Sequence, residues 1–169
     1  MTRLHRLIFL SLLISIGLVL SIVESSMPVP FLAPGAKLGL ANVVTLITLV
    51  ILGFRDALIV GILKSITFVL ATGSVSSIFY SLTGVIFSTI LMYIVYKYFS
   101  NYFSLIGVSI FGAISHNIGQ VMIASIMMEN IMIFSYLPIM TLISLFTGYF
   151  VGLVSIFVDK NLSGRIFKL

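Results

Sequence analysis

The sequence predicts an all-α membrane protein with six transmembrane helices. Hydrophobic residues make up 60% of the 169 residues and charged residues 8%, whereas soluble domains have about 45–50% and about 25%. Apolar segments follow one another along the chain and are separated by short polar, proline or glycine stretches. Because a span needs about 20 residues, six spans with short connections use nearly the whole length. We therefore expect one integral membrane domain over residues 1–169.

Proline, glycine and polar residues set the limits of the first three helices. Helix one resembles a secretory signal, but Glu24 and Pro28 stand where a small-residue cleavage site is expected, which predicts a retained helix. Residues 53–56 are too few for anything but a turn, so helices two and three are antiparallel neighbours. The predicted helices cover residues 7–24, 37–53 and 57–72.

The last three helices are delimited in the same way. Small and polar residues 72–77 separate helices three and four, and helix five stops near Glu129. Pro138 falls in the first turn of helix six, where the missing N–H costs least. The predicted helices cover residues 78–96, 104–127 and 136–157.

The distribution of cations predicts the orientation. Positively charged loops are retained in the cytoplasm, and Lys37 is the one loop cation that falls on the opposite side. Both termini are therefore expected in the cytoplasm of a multi-pass protein of the cell membrane, most simply a bacterial plasma membrane. This topology also explains the net charge of +5 without a nucleic-acid partner, since no basic run accompanies it. The cations on the cytoplasmic side are Arg3, Arg6, Arg55, Lys97, Lys160, Arg165 and Lys168.

Polar residues inside the predicted helices are candidates for a binding site, because a charge at the helix centre costs at least about 2.5 kcal/mol. Lys64 lies nine residues beyond Arg55, or about 13 Å into the bilayer at about 1.5 Å per residue. His116 and Gln120 are one turn apart on helix five. We predict a cavity, open to the outside, for a small anionic or amphipathic organic solute. Its predicted lining is Lys37, Asn42, Lys64, His116, Asn117 and Gln120.

Simpler roles remain open for several of these residues. A lysine near a helix end can extend toward the lipid headgroups, and this alternative applies to Lys37 and, less readily, to Lys64. The alternative for Asn117 and Gln120 is a hydrogen bond to a neighbouring helix, a contribution of about 0.6 kcal/mol on average. Glu24, at the outer end of helix one, is expected to meet Lys37 at the rim of the cavity.

Small residues recur at four-residue spacing, which lets helices approach closely. Most of these pairs are expected to pack within the bundle. Helix one has two such pairs within eleven residues, so it is also a candidate surface for a membrane partner. The pairs are Ser11 with Ser15 and Gly17 with Ser21.

The sequence argues against an enzyme. It has no cysteine and only four acidic residues, and no two acids lie close enough along the chain to form a magnesium-binding pair. It also lacks a phosphate-binding glycine-rich loop and a Gly-x-Ser-x-Gly elbow. We therefore predict no catalytic residue, metal or cofactor, and no ATP hydrolysis by this chain.

Four stretches carry a resemblance to a known family. They are PGAKLGLAN at residues 34–42, LGFRDAL at 52–58, FGAISHNIGQ at 111–120 and YLP at 136–138. These stretches look like the Gx transporter family, which is also called heptaprenyl diphosphate synthase component I. The family is similar to the substrate-binding S components of energy-coupling factor transporters.

The resemblance implies an S-component-like bundle that captures a micronutrient-like solute from outside. It further implies docking, through Ser11, Ser15, Gly17 and Ser21, onto a separate transmembrane coupling subunit driven by two cytoplasmic ATPases. The other family name implies instead a non-catalytic membrane subunit that supports heptaprenyl diphosphate and quinone biosynthesis. A self-sufficient channel or carrier is a third reading, which the absence of a detectable inverted repeat weakens.

Overall fold

The computed structural model describes residues 3–27 and 37–166, with side chains as far as Asn161. These residues contain six α-helices, a 3₁₀ turn at Ile131–Tyr136 and no strand, which confirms the all-α prediction. The helices are α1 (Arg3–Ser25), α2 (Asn42–Leu52), α3 (Phe54–Thr72), α4 (Ser77–Tyr98), α5 (Leu105–Met127) and α6 (Leu137–Ile166).

Four helical stretches of the described residues are long and apolar enough to cross a membrane, namely α1, α4, α5 and Ile131–Asn161. These helices indicate a membrane protein. Helix α2 has 11 residues, or about 16 Å at about 1.5 Å per residue, which is shorter than the roughly 30 Å of a hydrocarbon core. Helix α3 has 19 residues but carries Arg55, Asp56 and Lys64. Six complete spans and cytoplasmic termini remain predictions.

Helix limits differ from the predicted ones by four residues or more in three places. The first helix begins at Arg3 rather than residue 7, and the last ends at Ile166 rather than residue 157, because helical hydrogen bonding continues beyond the apolar segment that hydropathy detects. The second helix begins at Asn42 rather than residue 37. Gly39 has φ +89°, a left-handed backbone that interrupts a right-handed helix.

Helix α2 forms the centre of the bundle. Nine of its 11 residues are buried, and it contacts all five other helices. Its side chains Val44, Leu46 and Leu49 join Val60 of α3 and Val108 of α5 in the largest apolar core. A helix that is enclosed on every side is apolar on all its faces. This explains why the sequence of α2 resembles a membrane span although the helix is short.

Small residues bring α5 and α6 into close contact. A Cβ atom on Gly148 would lie 2.7 Å from Cα of Ile110, and one on Gly152 would lie 2.5 Å from Cα of Ile106. The expected role of such residues in packing within the bundle is therefore observed for this pair. Because neither glycine has a side chain, the backbones of α5 and α6 approach closely at these two positions.

The four small residues of helix one lie on two different faces. Ser11 and Ser15 are exposed and their hydroxyl groups bond to the carbonyls of Leu7 and Ser11. Gly17 and Ser21 are buried against the bundle. In this structure the second pair is therefore not available to a docking partner, and a shared surface can include only the first pair.

Candidate solute-binding site

Buried polar groups from five helices converge on one small cavity. The helices involved are α1, α2, α3, α4 and α5, and the segment 37–41 before α2 closes the space between them. The cavity measures about 10 Å³, room for about one water molecule. Its lining residues are Ser21, Glu24, Lys37, Gly39, Ala41, Asn42, Lys64, Ser81 and His116.

Glu24 joins α1 to the segment before α2. Its side chain is 4% exposed, and its carboxylate accepts hydrogen bonds from the backbone N–H groups of Gly39 and, at 3.5 Å, Ala41. It also interacts electrostatically with Lys64 and Lys37. The sequence predicts Glu24 at the rim of the cavity, outside the predicted lining. The structure places it in the buried lining.

A signal for the position of Glu24 is present in the sequence. Gly17, Ser21 and Glu24 follow one another at spacings of four and three, which puts them on one helix face. All three are buried in α1. Gly17 and Ser21 are also predicted docking residues, but in this structure their face of α1 is turned toward the bundle, where Ser21 and Glu24 line the cavity.

Lys64 is held between α1 and the segment before α2. The residue is 3% exposed, and its Nζ donates a hydrogen bond to the carbonyl of Ala41 at 3.1 Å. Its methylene chain crosses Gly17, where a Cβ atom would lie 2.8 Å from Cδ of the lysine. The ammonium group is therefore directed into the bundle and not toward the lipid headgroups.

Lys37 also turns inward. Its Nζ is buried 3.1 Å from the centroid of the Phe68 ring, which is a cation–π contact. Its backbone N–H donates to Oε1 of Gln120 at 3.2 Å, and this bond ties the segment to α5. The ammonium group therefore packs against an aromatic ring of α3 inside the bundle.

Several buried polar atoms of the site have no hydrogen-bond partner among the described residues. They belong to five of the predicted site residues, whereas in folded proteins roughly 90% or more of such groups are paired. Three of these residues, Lys37, Asn42 and His116, line the cavity, so their unpaired groups are available to a bound molecule and are the strongest mark of a ligand site here. The unpaired atoms of the predicted site residues are Lys37 Nζ, Asn42 Nδ2 and Oδ1, His116 Nδ1, Asn117 Oδ1 and Gln120 Nε2, and Thr45 Oγ1 and Ser88 Oγ are unpaired as well.

Asn117 does not line the cavity. Its Nδ2 donates to the carbonyl of Met140 at 2.9 Å and to Oγ of Ser144 at 2.6 Å. Both acceptors belong to α6, so the N–H₂ group of Asn117 joins α5 to α6, while its Oδ1 has no partner among the described residues. Ser81 takes a place in the lining that the sequence did not indicate, and its hydroxyl lies 2.8 Å from that of Ser65.

The cluster is electropositive and its cavity is small. Two ammonium groups, of Lys37 and Lys64, stand against the single carboxylate of Glu24. Such a balance suits an anionic group, and the unpaired amide of Asn42 suits a further polar atom on the same molecule. Because about 10 Å³ admits only about one water, a larger solute requires movement of segment 37–41.

These features define a class of protein: an all-helical membrane protein whose apolar helices enclose a polar, positively charged cluster. The chain matches the family described as heptaprenyl diphosphate synthase component I over residues 13–158. It belongs to this family, which is the Gx transporter family that the four sequence stretches indicated. Comparison with curated proteins gives no match, and comparison with solved structures gives none either.

Proposed function

We propose that this chain is the substrate-binding S component of an ATP-driven importer of the energy-coupling factor type. Its cargo is a small, anionic, micronutrient-like organic solute captured from outside. The observation that carries the proposal is the convergence of Lys37, Lys64 and the unpaired side chains of Asn42 and His116 on one small cavity. A buried donor without a partner is costly, and a bound solute would supply the missing partners.

Solute entry requires segment 37–41 to release its bonds to α1, α3 and α5. Glu24 holds two N–H groups of the segment and Lys64 holds its Ala41 carbonyl. An anionic solute competes with these contacts, because it offers Lys64 a stronger, charged acceptor than a carbonyl. The closed segment would then cover the bound solute.

In this proposal the chain is non-catalytic, and two separate cytoplasmic ATPases supply the energy through a transmembrane coupling subunit. The exposed pair Ser11 and Ser15 is the remaining candidate of helix one for docking onto that subunit. These small residues would allow close approach of a partner helix. The expected location is a bacterial plasma membrane.

The proposed site can be tested by identifying the small molecules that the purified protein retains. We expect mass spectrometry to find an anionic solute with the wild-type chain and to lose it with Lys64→Met or His116→Ala. Lys97→Met is the matched control, because that lysine is exposed in the last turn of α4. Unchanged retention in both site variants, with normal membrane insertion, would place the solute elsewhere.

The family name supports a second candidate function. The matched family is described as component I of heptaprenyl diphosphate synthase, which favours a non-catalytic membrane subunit that assists polyprenyl synthesis. Affinity purification from native membranes separates the two proposals. An ATPase pair with its coupling subunit supports import, whereas a soluble prenyltransferase supports the synthase role and contradicts import.

A further inference from the structure

A second candidate site lies at the N-terminal ends of α1 and α3, away from segment 37–41. An open groove of about 380 Å³ lies between the first turns of these two helices, within the usual range of about 300–1,000 Å³ for ligand pockets. Its charged side chains are Arg3, Arg6, Arg55 and Asp56. None of these residues takes part in the solute site.

The groove has an excess of positive charge. Arg6 binds both oxygens of Asp56, with Nε 3.0 Å from Oδ2 and Nη2 2.5 Å from Oδ1. The aspartate side chain is 3% exposed and that of the arginine 51%, so the carboxylate is neutralised while part of the guanidinium remains open. Arg3 and Arg55 are exposed at the same groove, which leaves a formal excess of two positive charges.

The rest of the groove is apolar. Leu7 and Leu10 of α1 face Ile59 of α3 across it, and Leu7 is 62% exposed. An occupant that matches this surface has an anionic group for the arginines and a hydrocarbon part for the floor. A free phosphate ion satisfies only the first requirement.

We propose that this groove binds one anionic phospholipid. Its phosphodiester contacts Arg3 and Arg55, and one acyl chain lies over Leu7, Leu10 and Ile59. Guanidinium groups bind phosphate oxygens in paired hydrogen bonds, and basic pockets between transmembrane helices hold lipid headgroups. The lipid would join the ends of α1 and α3 from the membrane side, next to their ion pair. This site is independent of the proposed solute.

Lipid retention in nanodiscs tests the proposal. The full chain is reconstituted in equal amounts of phosphatidylglycerol and phosphatidylcholine, and native mass spectrometry measures the lipids that remain bound. We expect the wild type to retain phosphatidylglycerol preferentially. The preference should fall about fivefold for each of Arg3→Gln and Arg55→Gln. Arg6 is left unchanged, since its removal would leave Asp56 buried and unpaired.

Two further variants separate the site from general surface charge. Lys97→Gln removes an exposed cation from α4 and should leave the preference unchanged. Ile59→Trp keeps every charge but fills the groove, so it should lower the amount of retained phosphatidylglycerol.

Four results would overturn the proposal. The first is the absence of any preference for phosphatidylglycerol in the wild type, and the next is an equal effect of Lys97→Gln and Arg55→Gln. Another is displacement of the retained lipid by glycerol phosphate, which would show that the arginines bind a free phosphate group without need of the acyl chains. The fourth is unchanged lipid retention in the arginine variants together with loss of a co-purified protein subunit, which would make the groove a protein contact.

Discussion

Glu24 shows how a single acidic residue organises the site. Its two accepted hydrogen bonds come from the backbone of segment 37–41, so the conformation of that segment depends on a side chain of α1. Hydrogen bonds to a charged group contribute about 1.5–3 kcal/mol, more than a neutral pair. The carboxylate also offsets the positive charge of Lys37 and Lys64.

Glu24→Gln should therefore destabilise the protein by about 2 kcal/mol. The amide keeps one acceptor oxygen, but it loses the negative charge and places an N–H₂ group near the backbone N–H groups of Gly39 and Ala41. Thermal unfolding in detergent measures the loss. Glu129→Gln, at an exposed position, is the control. Equal melting temperatures for the two variants would contradict the structural role given to Glu24.

His116 occupies space that only glycine allows on α4. A Cβ atom on Gly84 would lie 2.6 Å from Cε1 and 2.8 Å from Nδ1 of the imidazole ring. Gly84→Ala should therefore displace the ring and destabilise the protein by about 1–3 kcal/mol, the usual cost of overpacking.

A double-mutant cycle checks this contact. In the His116→Ala background the added methyl group meets empty space, so Gly84→Ala should cost much less there than in the wild type. Unfolding free energies of the four proteins give the coupling. Additive effects would show that the glycine and the histidine do not contact each other.

Four of the six predicted site residues line the cavity, so the sequence indicated chemistry better than arrangement. Lys64 and His116 were detectable because charge and imidazole are rare within apolar helices. Asn117 has the same chemistry, yet rotation about α5 turns it toward Ser144 of α6. The predicted position of Glu24 at the rim followed from its distance along α1. The direction of its side chain depends on which face of α1 is buried. Such directions follow from helix packing, which hydropathy does not report.

At the scale of elements, α2 shows why hydropathy overestimated the length of a helix. The predicted helix included residues 37–41, which are apolar apart from Lys37. Gly39 with φ +89° and the bonds of Glu24 to Gly39 and Ala41 keep this segment irregular. The glycines at residues 35 and 39 were visible in the sequence, but the partner that fixes the backbone comes from another helix.

The α5–α6 contact gives a prediction with an unusual sign. Alanine normally favours a helix over glycine by about 1 kcal/mol. At Gly152, however, the new Cβ would lie 2.5 Å from Cα of Ile106, and a backbone atom cannot move aside by a rotamer change. Gly152→Ala should therefore destabilise the protein by about 1–3 kcal/mol.

Unfolding of the variant in detergent measures this effect. Leu153→Ala is the matched control on the same helix, because the leucine is 40% exposed and its truncation leaves the α5–α6 contact intact. A Gly152→Ala protein as stable as the wild type would mean that α5 and α6 separate more easily than their backbone contact indicates.

For the whole molecule, orientation decides which compartment each site faces. The segment 37–41 and the cavity lie at the C-terminal end of α1, whereas the groove of Arg3, Arg6 and Arg55 lies at its N-terminal end. The positive-inside rule predicts that the arginines lie in the cytoplasmic leaflet. In that orientation the proposed solute would enter from outside, as uptake requires.

The absence of cysteine in the 169 residues makes this orientation directly testable. Helix α5 has 23 residues, or about 34 Å at about 1.5 Å per residue, enough to separate its two ends across the bilayer. Asn101→Cys precedes α5 and Met128→Cys follows it, and both positions are exposed. We expect a membrane-impermeant maleimide to label Met128→Cys in intact cells.

Asn101→Cys should react only after the cells are made permeable, and the cysteine-free parent should not react at all. Labelling of Asn101→Cys alone in intact cells would mean that the orientation is the opposite one. The cavity would then face the cytoplasm, which contradicts the proposed uptake. Labelling of both would mean that α5 does not separate two compartments. The expected pattern places Glu24, Lys37 and Lys64 on a path from outside and leaves the arginine groove for an inner-leaflet lipid.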